Sequence, residues 1–153
     1  MRTKVLMVCL GNICRSPLAE GILQSKVDPE KVFVDSAGTG GYHVGERPDE
    51  RSVEVARKHG IDITGQRCRK FTPQDFDDFD LIFAMDRSNY ANILAHSESE
   101  VNTKKVKLLL DVLEEGMQEV PDPYYGGNDG FENVYQMIDR ACTAIAHNLN
   151  LEG

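Results

Sequence analysis

The sequence predicts an α/β fold, a parallel sheet covered by helices on both faces. Three observations carry that expectation. The strand-like segments are apolar runs without polar alternation, the pattern of strands buried on both sides. They are separated by segments of helical spacing. The chain has 153 residues, 41% of them hydrophobic and 27% charged, which suits one ordinary soluble domain with a real core.

Each element follows from local chemistry. Residues 4–10 (KVLMVCL) read as the first strand, and residues 17–27 (PLAEGILQSKV) as a helix with Pro17 at a favoured first position. Residues 32–38 (VFVDSAG) read as a second strand. Residues 48–60 form a helix whose end is marked by Lys58, His59 and Gly60. Thr72 caps a short helix over 72–76 with Pro73 as its first residue. Residues 80–85 (DLIFAM) are a third strand, residues 86–97 a helix capped by Asp86 or Ser88, and residues 105–110 (KVKLLL) a fourth strand. A polar, Gly/Pro-rich stretch leads to a terminal helix over 131–150, with Val134, Ile138, Ala141, Ile145 and Leu149 at helical spacing. No internal repeat or domain boundary interrupts this order, so residues 1–153 are expected to form a single domain.

Composition narrows the function classes. A formal charge of −8 argues against a sequence-independent nucleic-acid binder, which needs an excess of Lys and Arg on one face. It leaves room for a small anion, since one arginine and a ring of amides make a local positive pocket. The apolar run from Val5 to Leu10 is too short for a secretory signal, and no stretch approaches a membrane span. Cys9, Cys14, Cys68 and Cys142 are irregularly spaced, which favours reduced thiols and a cytoplasmic location.

In parallel sheets of this kind ligands bind at the carboxyl ends of the strands, and Cys9 ends the first one. After it comes LGNICRSP, residues 10–17. Gly11 and Asn12 are expected to take positive φ at two successive positions, curling amide N–H groups inward. The following helix adds its N-terminal dipole, and Arg15 a planar fork that matches two phosphate oxygens. A phosphate-sized dianion fits such a ring, with the Cys9 sulfur at its floor. Those donors are of the kind that depress a thiol pKa, and Ser16 can donate to the sulfur, so phosphoryl transfer through a phosphocysteine is the chemistry expected. A cysteine closing an apolar strand is by itself more often a small buried hydrophobe. The nucleotide-binding loop G-x-x-x-x-G-K-[ST] is absent.

VCLGNICRSP resembles the signature of the low-molecular-weight protein tyrosine phosphatases at Cys9, Gly11, Asn12, Arg15 and Ser16. The likeness continues through DSAGT (35–39), MDRSN (85–89) and DPYYG (122–126) and so covers nearly the whole chain. It implies a three-layer sandwich around a four-stranded parallel sheet, and metal-independent hydrolysis of phosphotyrosine without a cofactor. Leu10, Gly11, Asn12, Ile13, Cys14 and Ser16 then line or support the phosphate loop, and Ser36 and Asn12 match positions that hydrogen-bond across it. One departure stands nearby: bacterial-type members often read G-H-x-A-R where this chain has GQRCR (65–69), so Gln66 replaces a supporting histidine.

Cleaving an aryl phosphate needs a proton for a phenolate whose conjugate acid has a pKa of about 10. The resemblance assigns that role to Asp122, held between two prolines; an aspartate before proline is otherwise common in plain turns. Tyr42, Tyr124 and Tyr125 match wall positions where a ring packs on the substrate ring. Cys14 is the expected redox partner, capturing a Cys9 sulfenic acid as a disulfide as family members with this pair do. Cys68 and Cys142 are expected to be packing residues, the histidines surface or helix-end residues, and the carboxylates of DFDDFD (75–80) a solvated face.

Rival readings are weaker. Arsenate reductase needs further thiols after the third strand, and residues 82–100 contain no cysteine. A protein arginine phosphatase carries a threonine where this chain has the bulkier Ile13. A phosphopeptide-binding module needs only the anion cage, not Asp122. The expected partner is a tyrosine-phosphorylated protein, with no nucleic acid or membrane, and the protein is expected to be a monomer or to self-associate weakly.

Overall fold

The computed structural model describes residues 2–41, 43–97, 99–113, 119–123 and 128–152. The expected wall residues Tyr42, Tyr124 and Tyr125 lie outside the described residues. Strands β1 (Thr3–Cys9), β2 (Val32–Gly38), β3 (Leu81–Ala84) and β4 (Val106–Leu108) form one parallel sheet in the order β2-β1-β3-β4. Helices α1 (Arg15–Gln24), α2 (Glu50–Lys58), α3 (Gln74–Asp78), α4 (Arg87–Leu94), α5 (Glu100–Lys104) and α6 (Asn128–Glu152) complete the fold, with a 3₁₀ turn at Leu109–Leu113.

The apolar runs are continuous because both faces of the sheet are covered. Val5, Met7 and Cys9 pack into one cluster with Leu18 and Ile22 of α1, Val53 of α2 and Ile138 of α6. Leu6 and Val8, pointing the other way, join Ile82, Ala84 and Val106 in a second cluster with Phe76 of α3 and Ile93 of α4. Successive strand side chains alternate between faces, so every position from Val5 to Val8 is fully buried. Each such aliphatic side chain contributes about 1.5–3 kcal/mol on leaving water. This is the expected three-layer sandwich.

Several boundaries differ from the sequence reading. Helix α1 begins at Arg15, so Pro17 is its third residue; a proline is tolerated there because first-turn amides have no intrahelical acceptor. In α3 the cap is Pro73 rather than Thr72, whose own N–H is accepted by Asp75 Oδ2 at 2.9 Å. Of the two caps considered for α4, Asp86 is used, accepting from Asn89 N. Helix α5 was not anticipated, because none of its residues is buried and no apolar face announces it. The run 105–110 divides between β4 and the 3₁₀ turn, since Leu109 and Leu110 are as buried as the strand and periodicity cannot separate them. Asp75 is 4% exposed and bonded to Arg69, so the 75–80 carboxylates are not all solvated.

Candidate active site

Strand β1 lies between β2 and β3, so the loop leaving Cys9 opens where the chain order departs to both sides. Cys9 is 3% exposed and pairs in register with Gly38. A Cβ on Gly38 would stand 2.8 Å from Leu10 O and 3.0 Å from Asn12 N, so a glycine is needed for the loop to lie this close. Two bonds stitch the loop to the extension of β2: Thr39 N donates to Cys9 O and Gly40 N to Leu10 O, each at 2.9 Å.

The loop turns at Asn12, whose φ of 58° makes it the only non-glycine among the described residues in the left-handed region. Gly11, expected to share that conformation, does not have positive φ; its constraint is space, because a Cβ there would meet His43 Cδ2 at 3.2 Å. The turn aims the Asn12 N–H at Cys9 Sγ, 3.2 Å away. Ser16 Oγ stands 2.9 Å from the same sulfur. Asn12 Nδ2 donates to Ser16 Oγ at 2.8 Å and to Ser36 Oγ at 3.0 Å, while its Oδ1 accepts from Arg69 N at 3.0 Å. An amide nitrogen only donates, so Ser16 accepts from it and keeps its own proton for the sulfur. Among the described residues, no acceptor takes the amides of Gly11, Ile13 or Cys14. These are the donors an oxyanion would meet.

Arg15, 3% exposed, is anchored through one nitrogen: Nη1 donates to Asp86 Oδ2 at 2.7 Å and to Val120 O at 2.9 Å. Val120 is in turn held to Met85 O after β3. Asp86 serves two ends at once, since its Oδ1 accepts from Asn89 N at 2.8 Å and caps α4. Sequence reading found Asp86 only as a cap; the missed signal was a carboxylate just past a strand end beside the switch point. Asp122, with a side chain 40% exposed, comes within 3.9 Å of Arg15 Nη2, so the arginine bridges the first loop and the Pro121–Pro123 segment. Leu10 is exposed and Ile13 half-buried at the rim.

The remaining residues near the loop divide. Cys14 is buried, and desolvation, with smaller contributions from its neighbours Asp49, Cys9 and Asp122, pushes its thiol up to about 12. Cys68 is more than a packing residue, because its thiol donates to Asn12 O at 2.8 Å and so touches the loop. Gln66 reaches the first turn of α1 through Nε2, bonding Pro17 O at 3.0 Å, while its buried Oε1 has no partner among the described residues. The partner of Ser36 is Glu20, which accepts its hydroxyl at 2.6 Å. Sequence reading passed over Glu20, which lies inside a helix with no local mark of a role. His59 is not a plain helix-end residue: it stacks on Tyr135 with ring centroids 4.0 Å apart and bonds Glu132. Among the described residues no group of three or more His, Cys, Asp or Glu is arranged to hold a metal ion.

The family model described as low molecular weight phosphotyrosine protein phosphatase matches residues 4–153. The chain belongs to that family. The low molecular weight protein-tyrosine-phosphatase YfkJ of Bacillus subtilis is 44% identical over 153 residues, 97% of this chain and 96% of that one. The crystal structure of YfkJ superposes with a TM-score of 0.91 at 41% identity, over 99% of this chain and 97% of that one. Vibrio vulnificus Wzb, solved in complex with benzylphosphonate, gives a TM-score of 0.86 at 28% identity, over 97% and 99% of the two chains. For a low molecular weight phosphatase, the geometry reads as a cup: a sulfur at the floor, amides without an acceptor among the described residues around it, an arginine at one wall.

Proposed function

We propose that this phosphatase hydrolyses phosphotyrosine in proteins through a phosphocysteine on Cys9, with Arg15 as phosphate ligand and Asp122 as general acid and base. The convergence of the Ser16 hydroxyl and the Asn12 N–H on Cys9 Sγ is the observation that carries the reading. Both stabilise negative charge on sulfur, as a nucleophile and again as a leaving group. In the first step the sulfur attacks phosphorus and the aryl P–O bond breaks. Asp122 gives its proton to the departing phenolate oxygen, leaving a free tyrosine. In the second, water attacks the phosphocysteine and loses a proton to the Asp122 carboxylate. The S–P bond then breaks and inorganic phosphate leaves.

In this reading Arg15 holds the transferring group, supported by the tie of Nη1 to Asp86 and Val120, with its other edge turned to the oxyanions. The exposed Leu10 and the half-buried Ile13 supply apolar rim for a phenyl ring. Tyr42, Tyr124 and Tyr125 belong to the same wall in this reading, by likeness to the family. The complex of Wzb with benzylphosphonate supports an aromatic ring beside the bound phosphorus. Every step is carried by a side chain of the protein itself, so hydrolysis proceeds in a chelator. In the same reading residues 1–153 work as one cytoplasmic domain, monomeric or weakly self-associating, and no described helix is long and apolar enough to cross a membrane.

The test is a rapid-mix assay on p-nitrophenyl phosphate, followed by a comparison of phosphotyrosine, phosphoserine and phosphoarginine peptides. A nitrophenolate burst that disappears in Cys9→Ser, with preference for phosphotyrosine, is expected. Undiminished turnover in Cys9→Ser would overturn the assignment.

A further inference from the structure

We infer that Glu20, as a carboxylate, is a positioning residue for the phosphate loop, acting through Ser36 and Asn12 on the Cys9 sulfur. The proposal rests on the reading of Cys9 as nucleophile. Its warrant is a hydrogen-bond chain whose donors and acceptors are consistent in only one direction. Asn12 Oδ1 accepts from Arg69 N, so the amide orientation is fixed and Nδ2 must donate to both serines. Ser36 therefore has one proton left, and it goes to Glu20 Oε1 at 2.6 Å, the length of a hydroxyl bonded to a charged acceptor. The second carboxylate oxygen, Oε2, accepts from Gln24 Nε2 at 3.2 Å, and that nitrogen also donates to Val34 O. Both oxygens of Glu20 face donors. A protonated carboxyl would set a hydrogen against one of them.

The chain ends on the reacting atom. Polarising the Ser36 hydroxyl makes its oxygen a better acceptor for Asn12 Nδ2, and this holds a residue that sits in a strained region at φ 58°. Asn12 contributes to the sulfur twice, by its own N–H and through Ser16. Glu20 is 8% exposed, Ser36 4% and Asn12 2%, so water does not substitute for a lost partner. Gln66 bonds Pro17 instead, so support from this side comes from the carboxylate.

Glu20 is also poised to titrate. Burial pushes it up to about 7; Asp35 adds to the rise, while the bonds from Ser36 and Gln24 and the nearby Arg69 guanidinium oppose it. Arg69 is shared with Asp35 and Asp75. Below that pH the chain loses its acceptor end.

The experiment compares kcat for p-nitrophenyl phosphate from pH 5 to 8.5 in the wild type, Glu20→Gln, Ser36→Ala and the double variant, each first checked for the Cys9-dependent burst. Glu20→Gln is expected to lower kcat three- to tenfold at pH 8, to leave KM within about twofold, and to remove an inflection near pH 7. In the Ser36→Ala background the same change has no further effect. If the two losses multiply, or the inflection persists in Glu20→Gln, the relay is wrong even though the burst stands. If the wild type shows no burst, the nucleophile assignment fails instead.

Discussion

Arg15 and Asp86, 71 positions apart in the chain, meet at 2.7 Å with side chains only 4% and 21% exposed. The pair fixes one edge of the guanidinium, and in the proposed mechanism the rest of it meets the phosphate. Hydrogen bonds between charged, buried partners contribute about 1.5–3 kcal/mol. Asp86→Asn keeps the cap on α4, since asparagine caps as well as aspartate, but removes the negative charge that faces Arg15. We expect kcat/KM to fall on the order of 10- to 100-fold and inorganic phosphate to inhibit more weakly, with Tm lowered by a few degrees as the charged hydrogen bond weakens. Unaltered phosphate inhibition would show that the arginine is held by other means.

Gly38 tests the packing beneath the loop. A methyl at this position meets backbone atoms, Leu10 O and Asn12 N, that cannot swing aside like a side-chain end. Relief must come from the loop itself. Gly38→Ala is expected to cost about 1–3 kcal/mol of stability and to depress kcat more than tenfold, because one of the atoms displaced, Asn12 N, donates to the sulfur. A variant that unfolds at lower denaturant yet keeps its kcat would place the strain elsewhere.

What could be read from the sequence divides along the same line. The Cys9–Ser16 loop was legible because its structure is local: a strand end, a turn residue and a helix start within eight positions make it. The two-sided sheet was legible because Val5 to Val8 leave no polar face. Glu20, Asp86 and Asp75 were not, since their roles arise only when α1, α4 and α3 bring them beside Ser36, Arg15 and Arg69. Helix α5 escaped for the opposite reason, having no buried residue to mark it.

Cys14 should be unreactive in the resting enzyme. Desolvation, reinforced by Asp49, Cys9 and Asp122, holds its thiol protonated at about 12, and the wholly buried Cys142 is pushed up as well. Iodoacetamide at pH 7.5 is expected to spare both. Peroxide changes the situation: it oxidises Cys9 to a sulfenic acid, whose sulfur is electrophilic. Cys14 sulfur then bonds to Cys9 sulfur, the S–O bond breaks, and the Cys14 proton leaves with the hydroxide as water. Mass mapping should find a Cys9–Cys14 disulfide that dithiothreitol reverses. Recovery of Cys9 only as sulfinate or sulfonate would refute the pairing.

Glu20 carries a stability signature separate from its effect on rate. Its pKa lies near 4.5 when exposed and is raised to about 7 in the fold, chiefly by burial. The folded protein therefore holds this proton through a window in which the unfolded chain has released it. The stabilisation is complete below the lower value and lost as pH rises through the upper one. Glu20→Gln abolishes that dependence. Relative to the wild type, the variant should gain on the order of 2 kcal/mol between pH 5 and pH 8, seen as a difference of several degrees in Tm. A constant difference between the two proteins across this range would mean that the carboxyl is not buried as described.

Asp122 can be separated from the other catalytic groups by the leaving group. In the proposed mechanism it protonates a phenolate, so it matters in proportion to how poor that leaving group is. General acid catalysis contributes about 10²–10⁴-fold where it is fully used. Asp122→Asn should therefore lose rate steeply with phenyl phosphate or a phosphotyrosine peptide, and much less with nitro-substituted aryl phosphates whose phenolates leave unaided. Binding of phosphate should change little, because the cup and Arg15 remain, and loss of the carboxylate 3.9 Å from Nη2 removes a competitor for the guanidinium. The second step supplies an internal check. Without a base for water, phosphocysteine should accumulate, and quenching during turnover should trap a phosphorylated Cys9. Equal rate losses across leaving groups, with no trapped intermediate, would assign the proton to another group.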